Sequence, residues 1–227
     1  MHACIHALIL SGHLLPHLKL INRGDVIVFW TCFGRGQFTV KRGWCVWITG
    51  LPGSGKSTVA GLVQEKLKSS SVNAQTISID MIRRYATPRP TYSREERATV
   101  YGALIFTAVM LTENSVNVII DATGNRRRFR EQARRSIPQF MEAYLKCSLE
   151  VCMQRENKRA DTHLAPADIY EKAQKGKAPT VPGVGVPYEE PLNPEIEIDS
   201  SKLSAEENAQ KIWAAVLQRF VLEPKQL

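Results

Sequence analysis

At 227 residues the chain is long enough to bury one sizeable core, and its 44% hydrophobic and 23% charged content excludes disordered and fibrous classes. A net charge of +8, half of it within residues 1–42, suits a polyanionic ligand, whether nucleotide or nucleic acid. The longest apolar run, Ala3–Leu10, is interrupted by His6 and is too short to span a bilayer. It has neither a preceding Lys or Arg nor a cleavage signature, so a cytoplasmic protein without membrane contact is expected.

The first forty-odd residues differ from the rest. His2, His6, His13 and His17 fall there without metal-ligand spacing, and Asp25–Phe33 is expected as a strand that Gly34-Arg35-Gly36 turns into Gln37–Lys41. One reading is an accessory hairpin or partner-binding arm. The other, preferred, is a non-catalytic extension over residues 1–42, as a start assigned too far upstream would produce, with Val40 an alternative initiation point. The five cysteines (Cys4, Cys32, Cys45, Cys147 and Cys152) are odd in number and form no C-x-x-C, which reads as buried free thiols rather than a redox or metal site.

From Gly43 onward strands and helices alternate. Trp44–Thr49 is a buried strand, Lys56 to about Ser69 a helix, and Ala74–Ile79 a second strand ending at Asp80. Ser93-x-x-Glu96 opens a helix to about Thr112 as a capping box. Val116–Ile120 is a strand ending at Asp121, Arg126–Ser136 a helix, Glu142–Cys147 a strand and Ser148–Arg155 a short helix. Glu195–Ile198 is the fifth strand, and Ser204-x-x-Glu207 caps a last helix to about Val221. Such alternation implies an α/β fold with a parallel sheet of about five strands and helices on both faces. Between about 156 and 193 the pattern fails, apart from a short helix at Asp168–Lys175. A long irregular segment inside an α/β domain is expected to act as a lid.

Gly50-Leu51-Pro52-Gly53-Ser54-Gly55-Lys56-Ser57-Thr58 matches G-x-x-x-x-G-K-[ST] in full and sits between a buried strand and a helix. Its backbone amides and the helix N-terminus are expected to cradle a triphosphate. Lys56 would reach the β- and γ-phosphates, and the Ser57 hydroxyl would ligate Mg²⁺. A guanine-selective N-K-x-D is missing, because Asn157-Lys158-Arg159-Ala160 lacks the Asp; ATP is expected.

Ligands of open parallel sheets bind beyond the C-terminal strand ends, where Asp80 and Asp121 fall. Asp80 is read as the base or hydroxyl-orienting group, against the alternative of a helix N-cap. Asp121 either holds Mg²⁺ through water or caps the following turn. Arg83, Arg97, Arg127 and Arg130 could grip an anionic acceptor bidentately. Arg126–Arg134 could equally be a solvated helix face, so Arg83 and Arg97 rank above that cluster.

At these residues the chain resembles the adenylylsulfate (APS) kinase family. Gly50–Thr58 resembles the family's G-L-P-G-S-G-K-S-T, Asp80-Met81-Ile82-Arg83 its D-N-I-R, and Tyr92-Ser93 with Glu96-Arg97 its F-S-x-x-D-R. Glu150-x-Cys152-x-x-Arg155 is similar to E-x-C-x-x-R, Tyr170-Glu171-Lys172-Ala173 with Gly176 to Y-K-K-A…G, and Pro187–Glu195 to P-Y-E-x-P-x-N-P-E. The resemblance covers about Gly43 to the C-terminus and none of residues 1–40. It implies a P-loop kinase domain over 43–227, Asp80 at the catalytic acidic position, ATP and Mg²⁺ as cofactors, and adenylylsulfate as the anionic partner.

Several positions depart from the pattern. D-G-D becomes Ser78-Ile79-Asp80, F-I-S-P-Y-R becomes Ala122–Arg127, and the K-x-F-T-G of the lid becomes Pro179–Gly183, losing a lysine and an aromatic. The expected reaction is transfer of the γ-phosphoryl group to the adenylylsulfate 3′-hydroxyl, giving PAPS. The alternative keeps the chemistry but changes the acceptor to another small metabolite or a nucleic-acid 5′-end. A nucleic-acid-binding protein is disfavoured, since no aromatics interleave the basic stretches. A homodimer is compatible with the sequence.

Overall fold

A computed structural model describes residues 41–87, 89–158 and 168–222, together with two short strands near the N-terminus. The chain divides into two compact units, residues 1–41 and 42–227. In the first, β1 (Asn22–Arg23) pairs antiparallel with β2 (Val26–Ile27). Within the expected strand at Asp25–Phe33, Val26–Ile27 is a strand, paired with the upstream Asn22–Arg23. The remainder of that expectation lies outside the described residues.

The second unit carries five parallel strands: β3 (Cys45–Thr49), β4 (Ala74–Ser78), β5 (Asn117–Asp121), β6 (Phe140–Lys146) and β7 (Ile196–Asp199). Their order across the sheet is β4-β5-β3-β6-β7, which puts β3 at the centre. Both faces of β3 are buried, and so its residues are apolar without alternation. Val46 and Ile48 join one core with Val59, Val63 and Leu67 of α1 (Lys56–Ser69) and Ile212 and Val216 of α7 (Ala205–Val216). Cys45 and Trp47 face the other, with Tyr101, Leu104 and Ile105 of α3 (Arg94–Glu113) and Phe129 and Ala133 of α4 (Arg127–Ser136). At roughly 1.5–3 kcal/mol per fully buried large side chain, these two slabs outweigh any surface ion pair and fix the strand ends.

The expected parallel α/β architecture is therefore the observed one, with two local differences. Strand β4 stops at Ser78, whose Oγ accepts from the Met81 amide at 3.0 Å and so caps a helix not foreseen, α2 (Ile79–Ala86). Capping rather than β-propensity ends the strand, because Ser is a strong N-cap. The last helix also ends early, at Val216, and continues as a π-helical turn over Leu217–Val221. Two short helices, α5 (Leu149–Asn157) and α6 (Ile169–Gln174), flank the irregular region, of which residues 159–167 lie outside the described set.

Of the cysteines, Cys45, Cys147 and Cys152 are free and buried. Burial raises the Cys152 thiol to about 12, too high for a reactive thiolate. Cys4 and Cys32 lie outside the described residues.

Candidate active site

Between the C-terminal ends of β3, β4 and β5 a cavity of about 790 Å³ opens. One wall is the loop from β3 to α1. Gly53 there has φ 78°, and a Cβ would stand 2.4 Å from the Cys152 carbonyl oxygen, so only glycine lets the loop pass this close to α5. Pro52, Gly53, Gly55, Lys56, Ser57 and Thr58 line the cavity, whereas Gly50, Leu51 and Ser54 form the turn behind it. Lys56 is buried, and its Nζ donates to the Leu51 carbonyl at 2.9 Å. Burial lowers its pKa, opposed first by the charge of Asp121 and further by Cys152, Asp80 and Glu156.

Asp80 and Asp121 both line this cavity. Because Ser78 takes the capping role, Asp80 falls in the first turn of α2 rather than at its N-cap. Asp121 is buried at the end of β5, in register with both Ile48 of the central strand and Ser78 of β4. Beside it the Thr49 hydroxyl donates to the Thr123 carbonyl at 2.7 Å. Its single proton is then committed, so the Tyr188 hydroxyl, 2.9 Å away, donates to Thr49. That bond ties the stretch after residue 186 to the central strand.

The opposite wall comes from α2, the start of α3 and residues 177–182. Ser93 caps α3 by accepting from the Glu96 amide at 3.1 Å, which is half of the expected box. The other half is redirected: the Glu96 carboxylate accepts from Thr91 and Tyr92 and pairs with Arg83. Burial pushes the Glu96 carboxyl upward, but the Thr91 hydrogen bonds and the Arg83 charge outweigh it and hold it below the usual range. Tyr92 is left-handed at φ 55°, a costly conformation for a bulky residue. It is held by its amide bond to Glu96 and by Arg97, whose Nε donates to the Tyr92 carbonyl at 3.1 Å. The guanidiniums of Arg83 and Arg97 lie 4.5 and 5.8 Å from the centre of the Tyr92 ring.

The predicted site residues thus separate into two groups. Lys56, Ser57, Asp80, Arg83, Arg97 and Asp121 share one cavity. Arg127 does not: its amide donates to the Glu189 carboxylate at 2.8 Å and its Nε to the Glu190 carbonyl at 3.1 Å. Nor does Arg130, which is buried against Glu142 and donates to the Gly124 and Glu189 carbonyls. Arg134 binds Glu195 with both amines. Arg127, Arg130 and Arg134 of the arginine-rich helix therefore anchor the Pro187–Glu195 stretch, while Arg128 and Arg135 lie on its solvated face. Tyr101, Arg155, Glu156 and Lys177 also line the cavity and were not singled out as site residues from the sequence. Signals existed for Arg155, which closes the Glu150-x-Cys152-x-x-Arg155 resemblance, and for Lys177, a cation two residues before the altered Pro179.

A glycine-rich loop feeding a helix from the central strand of a parallel sheet, with a buried lysine and two carboxylates at the strand ends, defines a P-loop phosphotransferase. The chain belongs to the adenylylsulfate kinase family, whose profile matches residues 42–199. It is 33% identical over 173 residues to the adenylyl-sulfate kinase of Rippkaea orientalis, covering 76% of this chain and 91% of that one. It is 34% identical over 170 residues to the probable adenylyl-sulfate kinase of Pyrococcus abyssi, covering 75% and 92%. The structure of the Mycobacterium tuberculosis APS kinase in complex with AMPPNP and APS superposes with a TM-score of 0.68 at 29% identity, over 77% of this chain and 98% of that one. A gluconokinase from Sinorhizobium meliloti, at 18% identity and TM-score 0.55, shares the fold alone.

Proposed function

We infer that the chain transfers the γ-phosphoryl group of ATP to the 3′-hydroxyl of adenylylsulfate, giving PAPS and ADP. The observation that carries this is the single cavity in which the Lys56 ammonium, the Asp80 carboxylate and the Arg83–Arg97 wall meet, within a chain of this family. The hydroxyl oxygen attacks the γ-phosphorus, the bond to the β–γ bridging oxygen breaks, and the hydroxyl proton passes to Asp80. Lys56 and the amides of residues 53–58 spread the charge that builds on the phosphoryl oxygens.

Among the described residues no cluster of three or more His, Cys, Asp or Glu side chains forms a ready cation cage. Magnesium does not need one: it takes one or two protein oxygens and completes its shell with phosphate and water. The exposed Ser57 hydroxyl and the Asp121 carboxylate fit that donor set, and bound magnesium would neutralise charge on the β- and γ-phosphates.

The segment from about 156 to 193 is read as a lid. Its Tyr170 hydroxyl donates to the Pro52 carbonyl at 2.8 Å, and Arg97 reaches Thr180, so it touches both walls. Residues 1–42 are read as a non-catalytic extension, supported by a family match that starts at residue 42. The need for ATP supports a cytoplasmic site of action; no helix among the described residues is long and apolar enough to cross a membrane. Phe106 and Met110, 65% and 44% exposed one turn apart on α3, support a homodimer through that face.

Coupled ADP release with adenylylsulfate, RNA 5′-ends or no acceptor tests the reading. Turnover is expected with adenylylsulfate only, and acceptor-independent or RNA-stimulated turnover would sink it. Lys56→Ala is expected to be inactive with any acceptor. Asp80→Asn is expected to lose about 10²–10⁴ in rate while calorimetry still detects ATP binding.

A further inference from the structure

Arg97 is a cation in an unusual position. It lines the cavity, and burial lowers its pKa, as does the neighbouring Arg83. Arg83 is ion-paired with Glu96, whereas the hydrogen bonds of Arg97 go to neutral oxygens and Glu96 acts on it through its charge alone. Its Nε donates to the Tyr92 carbonyl at 3.1 Å, and its Nη2 donates to the Thr180 carbonyl at 2.7 Å and the Thr180 Oγ1 at 3.1 Å. Nε and Nη2 form the side-on edge of the guanidinium, so that edge is filled by protein oxygens while Nη1 is left over. A half-buried guanidinium whose hydrogen bonds all go to neutral oxygens is stabilised further by an anion from outside the chain.

We propose that Thr180 is a positioning residue for the acceptor: its carbonyl and hydroxyl hold one edge of Arg97 and reserve Nη1 for an anionic group of the substrate. Threonine suits this task because one residue supplies two acceptor oxygens a few bonds apart. The next residue, Val181, packs with Leu51 of the phosphate loop and with Tyr170, so Thr180 is fixed relative to the nucleotide wall. Distance between the two reacting groups is thereby set through Thr180 as well as through the sheet. This rests on the acceptor reading above and extends it to a residue that never touches the reacting atoms.

The variants Thr180→Val, which keeps shape and carbonyl but removes the hydroxyl, and Thr180→Ser, which restores it, separate positioning from packing. Losing one hydrogen bond to a charged group predicts about a tenfold rise in KM for adenylylsulfate in T180V. The kcat and the KM for ATP should stay within about twofold, and T180S should behave as wild type. An unchanged KM in T180V, an equal defect in T180S, or a parallel rise in the ATP KM overturns the role. A second arm needs no turnover: with ADP saturating the phosphate loop, inorganic sulfate is titrated by thermal shift. Wild type and T180S should respond alike, T180V about tenfold more weakly, and Arg97→Gln not at all. No response in wild type, or an unchanged one in T180V or R97Q, overturns the proposal. If the wild-type chain fails to use adenylylsulfate, the acceptor reading falls while the sulfate arm still decides the role of Thr180.

Discussion

Two groups of arginines end in opposite surroundings. Arg83 and Arg97, on α2 and α3, face the cavity; Arg126, Arg127, Arg130 and Arg134, at the start of α4 and along it, are consumed by Glu142, Glu189, Glu190 and Glu195. The difference lies in the supply of acids and carbonyls nearby. The α4 group meets the Pro187–Glu195 stretch, which brings three glutamates, whereas in the α2–α3 group Arg83 pairs with Glu96 and Arg97 bonds to neutral oxygens. Guanidiniums left over after local pairing are the ones available to a ligand.

The largest expected effect is on the anchoring group. Arg130 is 1% exposed and bonded to Glu142 at 2.5 Å, so Arg130→Ala leaves a buried carboxylate with only a 3.5 Å contact to Arg134 and should cost about 3–5 kcal/mol, read as a shifted urea midpoint. Should the variant unfold like wild type, the anchoring role is wrong. Next comes the cavity group: Arg97→Gln should weaken acceptor binding about 10–100-fold while shifting the urea midpoint less than R130A does, since its lost partners are neutral oxygens. A large stability loss there would erase the contrast between the two groups.

Glu96→Gln sharpens it through pH. The folded Glu96 carboxyl titrates below its ordinary value, so its contribution is complete above the unfolded value of about 4.3 and is lost as pH falls through the lower, folded one. Wild type should therefore lose stability more steeply than E96Q on acidification below about pH 4.3, measured by denaturation at a series of pH values. The smallest effect is at the rim: the Arg126–Glu189 pair is 45% and 33% exposed, and Arg126→Ala should cost no more than about 1 kcal/mol.

The phosphate wall was legible because it is contiguous. Nine successive residues carry the loop, the cation and the hydroxyl, and the apolar run before them with the helical pattern after them gives their context. The alternation of elements likewise gave the parallel sheet. The acceptor wall is assembled from α2, the start of α3 and residues 177–182, and no local pattern reports which side chains meet across more than 80 positions, as Arg97 and Thr180 do. Helix α2 was missed because Ser78 reads equally as a strand residue and as a cap. The capping box at Ser93 was half misread because Glu96 has stronger partners in Thr91 and Arg83 than in the Ser93 amide. At Ser204, with no such competitor, both halves form.

Ser78 and Asp121 stand side by side in the sheet, and adjacent strands are separated by about 4.8 Å. Where the family resemblance leads one to expect an acid at position 78, this chain has a hydroxyl, and the neighbouring strand end carries the carboxylate. The carboxylate of Asp121, one strand to the side, lies within electrostatic reach of the Lys56 side chain.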